Sequence, residues 1–95
     1  MKELSIEIEG RGEMRGFTLR QIKKSDFGYV YEVTHDESCV KHYEVFERKE
    51  NNYFNCVSYP SSKAFGLWAW CYTNYEEAVN RFNKIENCKN GNITE

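Results

Sequence analysis

The side chains most able to support chemistry are two histidines and a cysteine in one short segment: His35, Cys39 and His42. With Asp36 or Glu37 beside them, they are of the types that bind zinc. However, the H-x3-C-x2-H spacing differs from that of standard zinc fingers, and on an extended strand Cys39 and His42 point to opposite faces. No orienting third group or oxyanion hole is indicated that would make Cys39 a nucleophile. We therefore expect no enzyme activity, no catalytic residues, no metal and no cofactor.

A second candidate is aromatic. Trp68, Trp70 and Tyr72 alternate along one segment, so on a strand they would share one face. Such a row of rings can stack on unpaired bases. More often it packs in a core or against another protein. We predict a non-enzymatic binding or interaction module that associates with itself, or with a protein partner, through this aromatic face.

Basic residues supply the alternative hypothesis, a single-stranded nucleic-acid-binding protein. Arg20, Lys23, Lys41 and Arg48 lie on strands that should be neighbours and are the candidate phosphate contacts. Acidic residues occupy the same strands, however, and opposite charges facing each other are ordinary sheet stabilisation. The formal net charge of −2 also argues against a protein that clamps the phosphate backbone. Nucleic acid is therefore a possible partner but not the favoured one.

The overall composition bounds the location and the size. Ninety-five residues, 40% of them hydrophobic, make one domain with a core. Residues 1–9 alternate charged and apolar side chains without the apolar run of a secretory signal, and no later segment is long enough to span a membrane. We expect a cytoplasmic protein with no membrane contact and with reduced cysteines, of which Cys56 and Cys71 are predicted to be buried.

Local patterns then predict the elements. Alternation of Leu4, Ile6 and Ile8 indicates a short strand, and further strands are predicted over residues 14–24, with a bulge near Arg20 or two covered faces, and over 29–34, 40–49, 53–59 and 67–72. A helical turn after Pro60 should end at Gly66 in a left-handed conformation. Thr73 to Glu76 fits a capping box, with Thr73 as the N-cap of a helix to about Asn87. Its apolar stripe comprises Tyr75, Ala78, Val79, Phe82 and Ile85.

The predicted fold is α+β: an antiparallel meander of four to five strands with one C-terminal helix packed on one face. Residues 1–12 form an N-terminal strand or a loose arm, residues 13–87 the single domain, and residues 88–95 a flexible tail. One helix covers only part of one sheet face, yet several strands carry large apolar groups on both. We expect the surplus to be covered by sheet curvature, by a second copy of the chain or by a ligand.

The stretch Tyr59-Pro60-Ser61-Ser62, followed by Phe65-Gly66-x-Trp68-Ala69-Trp70 and a capped helix, resembles a group of short bacterial proteins. The resemblance covers roughly residues 12–87 and implies no catalytic residues. In outline, a strand-rich meander closed by one helix is also similar to the whirly and Pur-type single-strand-binding modules. That likeness implies pairing of two copies to bind nucleic acid.

Overall fold

Five antiparallel strands form one sheet, and a single helix packs on it, which confirms the predicted α+β class. A computed structural model of the chain describes residues 1–11 and 14–89, with the backbone alone for 38–40 and for Lys89. The strands of this sheet are β1 (Glu7–Glu9), β2 (Phe17–Lys24), β3 (Gly28–His35), β4 (Ser38–Glu47) and β7 (Ala69–Tyr72). Their order across the sheet is β1-β2-β3-β4-β7.

The β2–β3 hairpin contains the irregularity that the alternation indicated. The pairing register shifts between Gln21 and Lys23, which leaves Ile22 as the bulged residue. Leu19 packs on one face of the sheet and Ile22 on the other, as strand alternation places them, and both faces are covered at this point. Ser25 stabilises the hairpin turn, because its Oγ accepts hydrogen bonds from the backbone N–H groups of Phe27 and Gly28.

The predicted strand over 53–59 is wrong as a member of the sheet. Only β6 (Cys56–Val57) is extended, and it pairs with β5 (Glu50–Asn51) in a separate two-stranded sheet. The cause is the tight turn between them, where Asn55 takes a positive φ of 52°. After β6 comes the expected helical turn, a 3₁₀ helix over Ser62–Ala64, and Gly66 has the predicted positive φ, at 92°.

The helix α1 (Tyr75–Lys89) continues two residues beyond its predicted end. Its cap is Asn74 rather than Thr73, because the Asn74 Oδ1 accepts hydrogen bonds from the N–H groups of Glu76 and Glu77. Since Cys88 and Lys89 are helical, only residues 90–95 of the predicted tail remain, and these lie outside the described residues.

Two hydrophobic clusters lie on opposite sides of the sheet. On the side that we call the helix face, α1 packs Ala78, Phe82 and Ile85 against Val30 and Val45. The far face carries the second cluster, whose buried members include Leu19, Tyr29, Tyr31, Val33 and Phe46. Both faces of the central strands are therefore covered.

The cover on the far face comes from the chain itself. Val57 at the end of β6 and Ala64 and Phe65 in the segment after it pack on this face, and the N-terminal segment contributes Leu4 and Ile8. This solution was not among the three expected, because these segments have no regular period that would mark them as a layer. It removes most of the surplus that a second copy or a ligand was expected to bury.

The N-terminal segment is a paired element rather than a loose arm where the structure describes it. β1 pairs with β2, and Lys2 bonds through its backbone to Asn55 and Val57. The strand is shorter than the alternation indicated, and Ile6, which precedes it, is 69% exposed. Among residues 1–11 and 14–89, no helix has the length and apolar character needed to cross a membrane.

Candidate functional site

The three predicted aromatic residues lie at one end of the sheet, but they do not share a face. Trp70 and Tyr72 belong to β7 and lie on the helix face, whereas Trp68 packs with the cluster on the far face. The alternation fails at Trp68 because it precedes the strand, in a turn that starts at Gly66. The predicted single aromatic face is therefore wrong. The rings flank the edge of the sheet instead, Trp70 and Tyr72 from one side and Trp68 from the other.

On the helix face, α1 holds the two rings of β7. The Arg81 guanidinium carbon lies 4.4 Å from the centroid of the Trp70 ring, and Arg81 Nε donates a hydrogen bond of 3.0 Å to the Tyr72 hydroxyl. Both rings are half-buried. A single side chain of the helix therefore fixes the orientation of both aromatic residues next to the edge.

The edge itself is open for part of its length. The Glu47 N–H donates a hydrogen bond to the Trp68 carbonyl, so these residues form a hydrogen-bonded pair beside the β4–β7 ladder. Along an antiparallel ladder such pairs alternate with residues whose backbone groups point away from the partner strand. In that alternation the N–H and carbonyl of Cys71 point away from β4. The preceding outward carbonyl, of Ala69, accepts a hydrogen bond from the Gly66 N–H. The open stretch is therefore centred on Cys71.

The two edges of the sheet differ in how they are protected. At the β1 edge, Glu7 and Glu9 are exposed charges, which discourage pairing with another strand. The β7 edge, by contrast, reads Ala-Trp-Cys-Tyr and carries no charge or proline. Exposed apolar residues also stand just beyond both of its ends: Leu67 is 75% exposed and Tyr75 is 47% exposed.

The predicted basic residues are divided between the two faces. Arg20, Lys23 and Lys41 lie on the side of the helix face, while Arg48 lies on the far side. Lys41 Nζ is 3.6 Å from Glu32 Oε2, on the adjacent strand. Lys23 lines a groove with Tyr75 and other residues of the first turns of α1. The structure thus does not bring the four cations and the rings to one surface, and nucleic-acid binding stays a prediction.

Arg48 has a structural partner instead. Its Nη2 lies 2.7 Å from Glu3 Oε2, and its Nη1 is 3.0 Å from the Tyr29 hydroxyl. The hydrogen bonds from Arg48 and Tyr29 lower the pKa of Glu3 to about 2. Desolvation and the contact with Glu3 raise the pKa of Tyr29 to about 12. This group fastens the N-terminal segment over the far face.

A buried carboxylate is the feature that sequence reasoning missed. Glu44, on β4, is only 5% exposed and lies on the far face. The Tyr59 hydroxyl donates a hydrogen bond to Glu44 Oε1, and His42 Nε2 is 4.0 Å from Glu44 Oε2. Burial raises the pKa of Glu44, and the same desolvation, together with Glu44, raises that of Tyr59. The available signal was the alternation itself, which puts Glu44 on the same side as His42 and the apolar Phe46.

Glu44 borders a cavity of about 420 Å³. The lining residues are Arg11, Met14, Glu44, Tyr59, Pro60, Ser62 and Phe65. A neighbouring cavity of about 580 Å³ shares Arg11, Met14 and Tyr59 with it. Both volumes are in the range of small-molecule sites, which are typically apolar with a few polar groups.

Cys71 sits directly opposite Glu44 in the β4–β7 pairing. Desolvation and the charge of Glu44 raise the pKa of its thiol, so the thiol stays protonated at neutral pH. The expectation that Cys71 is buried is wrong: the residue is exposed, since among the described residues no further strand shields this edge. Cys56 is half-buried. Cys56, Cys71 and Cys88 are free thiols.

Of the candidate zinc ligands His35, Cys39 and His42, only the two histidines have described side chains, because Cys39 is described by its backbone alone. The Phe17 ring packs edge-on against both histidines, with centroids 4.6 Å from His35 and 6.2 Å from His42. In the described part of the chain, no three His, Cys, Asp or Glu side chains are grouped to hold a metal ion.

Comparison with models of known protein families, with curated proteins and with solved structures finds no match.

Proposed function

We propose that the protein is a non-enzymatic binding module that self-associates by pairing the β7 edges of two copies. The observation that carries the proposal is the contrast between the edges: β7 is uncharged and open around Cys71, whereas β1 is guarded by Glu7 and Glu9. An unprotected edge strand is a template for another strand. Pairing of like edges extends the five-stranded sheet of each copy into one continuous sheet.

A two-fold axis beside Cys71 is the simplest arrangement. Antiparallel pairing then brings the start of one β7 next to the end of the other, so that Leu67 of one copy approaches Tyr75 of the second. Both side chains are exposed in the single chain and would lose water contact in the pair. Trp68 on the far face and Trp70 on the helix face would border the join from either side.

The protonated thiol of Cys71 supports a contact role over a nucleophilic one, because the thiolate is the reactive form. We further propose a cytoplasmic location, in which thiols stay reduced and the pair is held by non-covalent contacts alone. A strand of four residues offers few hydrogen bonds, so we expect weak association that depends on protein concentration.

Sedimentation velocity over a concentration series, in reducing buffer, tests the proposal. Wild-type protein should shift from monomer to dimer. Leu67→Lys should weaken the dimer at least tenfold, because it places a charge beside the join. Ile6→Lys is the matched control: Ile6 is 69% exposed but precedes β1 at the opposite edge. A wild-type monomer at all concentrations, or equal effects of the two variants, would contradict the proposal.

A further inference from the structure

We infer that the cavity beside Glu44 is a binding site for a small molecule that has a cationic amine or amidine head and a flat apolar body. This inference is independent of the β7 edge, because the cavity opens on the far face and is lined by Tyr59, Pro60 and Phe65 of the segment after β6. The position of the Glu44 carboxylate, the residues that line the cavity and the charges around the cavity support the inference.

The carboxylate is held with one oxygen committed and the other available. Oε1 accepts the hydrogen bond from the Tyr59 hydroxyl, which fixes the rotation of the group. Among the described side chains, Oε2 accepts no hydrogen bond, and His42 Nε2 lies 4.0 Å from it, beyond hydrogen-bond range. Since a carboxylate accepts several hydrogen bonds, Oε2 can take a donor from a ligand.

An ionised Glu44 is costly where it lies. The residue is 5% exposed, and burial is the main cause of its raised pKa. A cationic head next to Oε2 would offset that cost, because a buried charge is stabilised by a partner of opposite sign. A neutral head of the same shape would lack this gain. The site therefore selects for positive charge.

The walls suit a flat apolar body. Met14, Pro60 and Phe65 line the space around Glu44, and the volume of about 420 Å³ accommodates a single ring with a short arm. Arg11 also lines the cavity but is exposed, so its charge is at the rim and largely screened by solvent. Glu44, by contrast, is only 5% exposed, so its charge is less screened.

Benzylamine and benzyl alcohol form a matched pair of probes, since they share a ring and differ in the charge of the head. We would titrate each into the protein in the same mildly alkaline buffer. Backbone amide shifts in nuclear magnetic resonance spectra report binding. Saturable shifts are expected around Tyr59, Phe65 and Cys71 with benzylamine, and affinity for benzyl alcohol should be at least tenfold lower.

Glu44→Gln should reduce benzylamine affinity roughly tenfold or more, because it removes the charge and keeps the shape. Tyr59→Phe should retain selectivity for benzylamine over benzyl alcohol, since the charge of Glu44 is kept although its rotation is no longer fixed. The matched control is Glu37→Gln, an exposed acid in the β3–β4 turn. The inference is overturned by an absence of saturable shifts, by equal binding of the two probes, or by equal affinity in Glu44→Gln.

Discussion

The Tyr59 hydroxyl donates a hydrogen bond to the carboxylate of Glu44, and this contact ties the segment after β6 to a central strand of the sheet. Tyr59 also packs its ring edge-on against Phe46, with centroids 5.6 Å apart. The far face therefore combines an apolar layer with one buried polar pair. Such a pair costs stability when its partners are separated, and it positions the segment that covers the face.

The burial of Glu44 predicts a pH dependence of stability. Its folded-state pKa is raised above the ordinary value of 4.5, so its contribution is fully present below that value and is lost as pH rises through the folded pKa. The groups that face it are Tyr59, His42, Cys71 and, from the cavity rim, Arg11. We expect the free energy of unfolding of the wild type, relative to Glu44→Gln, to fall as pH rises from 4.5 through the folded-state pKa.

Urea denaturation of both proteins across that pH range measures the difference directly, because titrations common to both cancel. A difference that stays constant, or that grows in favour of the wild type with rising pH, would show that the carboxylate is not desolvated.

Glu3 predicts the opposite sign. Hydrogen bonds from Arg48 and Tyr29 lower its pKa from 4.5 to about 2, so its contribution is present above pH 4.5 and is lost as pH falls towards 2. Glu3→Gln should therefore be less stable than the wild type at neutral pH and approach it in acid. Thermal unfolding at several pH values checks this, with Glu37→Gln as the control. Equal losses for the two variants at neutral pH would contradict the role of the Glu3–Arg48 contact.

The far-face layer predicts a large effect of core truncation. Phe46 is fully buried and packs against Tyr29, Tyr31 and Tyr59. Phe46→Ala should lower the free energy of unfolding by about 3–5 kcal/mol, since it removes apolar contacts and leaves a cavity. Leu67→Ala, at an exposed position, should change it by less than about 0.5 kcal/mol. Chemical denaturation of the two variants at low protein concentration gives both values, and a loss below about 1 kcal/mol for Phe46→Ala would show that the far face is loosely covered.

The helix could be predicted from the sequence, whereas the burial of Glu44 could not. The helix and the β3–β4 hairpin were predicted because each has its own period and its own turn residues, and both are confirmed. The sheet and the positive φ of Gly66 followed from the same local rules. These features depend on residues close together in the chain.

The layer over the far face could not be predicted in this way. Val57, Ala64 and Phe65 cover it from a segment that has almost no regular structure, so no period marks them as a layer. Strand alternation predicts the wrong face for Trp68, because Trp68 lies in the turn before β7. Alternation along β4 places Glu44 on the side of His42 and Phe46, but its hydrogen bond with Tyr59 depends on how the intervening segment folds back.

Arg81 predicts a local change at the aromatic edge. Its guanidinium stacks on Trp70 and donates to Tyr72, while its stem covers apolar surface. Arg81→Met keeps the stem and removes the charge, so we expect a loss of about 0.5–1 kcal/mol in stability. In a Trp68→Phe background, the emission of Trp70 should also change. Lys84→Met, on the same helix, is the control, and identical emission in both variants would contradict the stacking.

The direct test of the β7 edge is amide hydrogen exchange at Cys71, measured by nuclear magnetic resonance at increasing protein concentration. The Cys71 N–H points away from β4 and should exchange rapidly in a dilute sample. Self-association through β7 predicts that its protection rises with concentration, while the outward N–H of Glu7 at the other edge stays unprotected. Unchanged exchange at Cys71 in a sample that sedimentation shows to be dimeric would place the interface elsewhere and contradict the account.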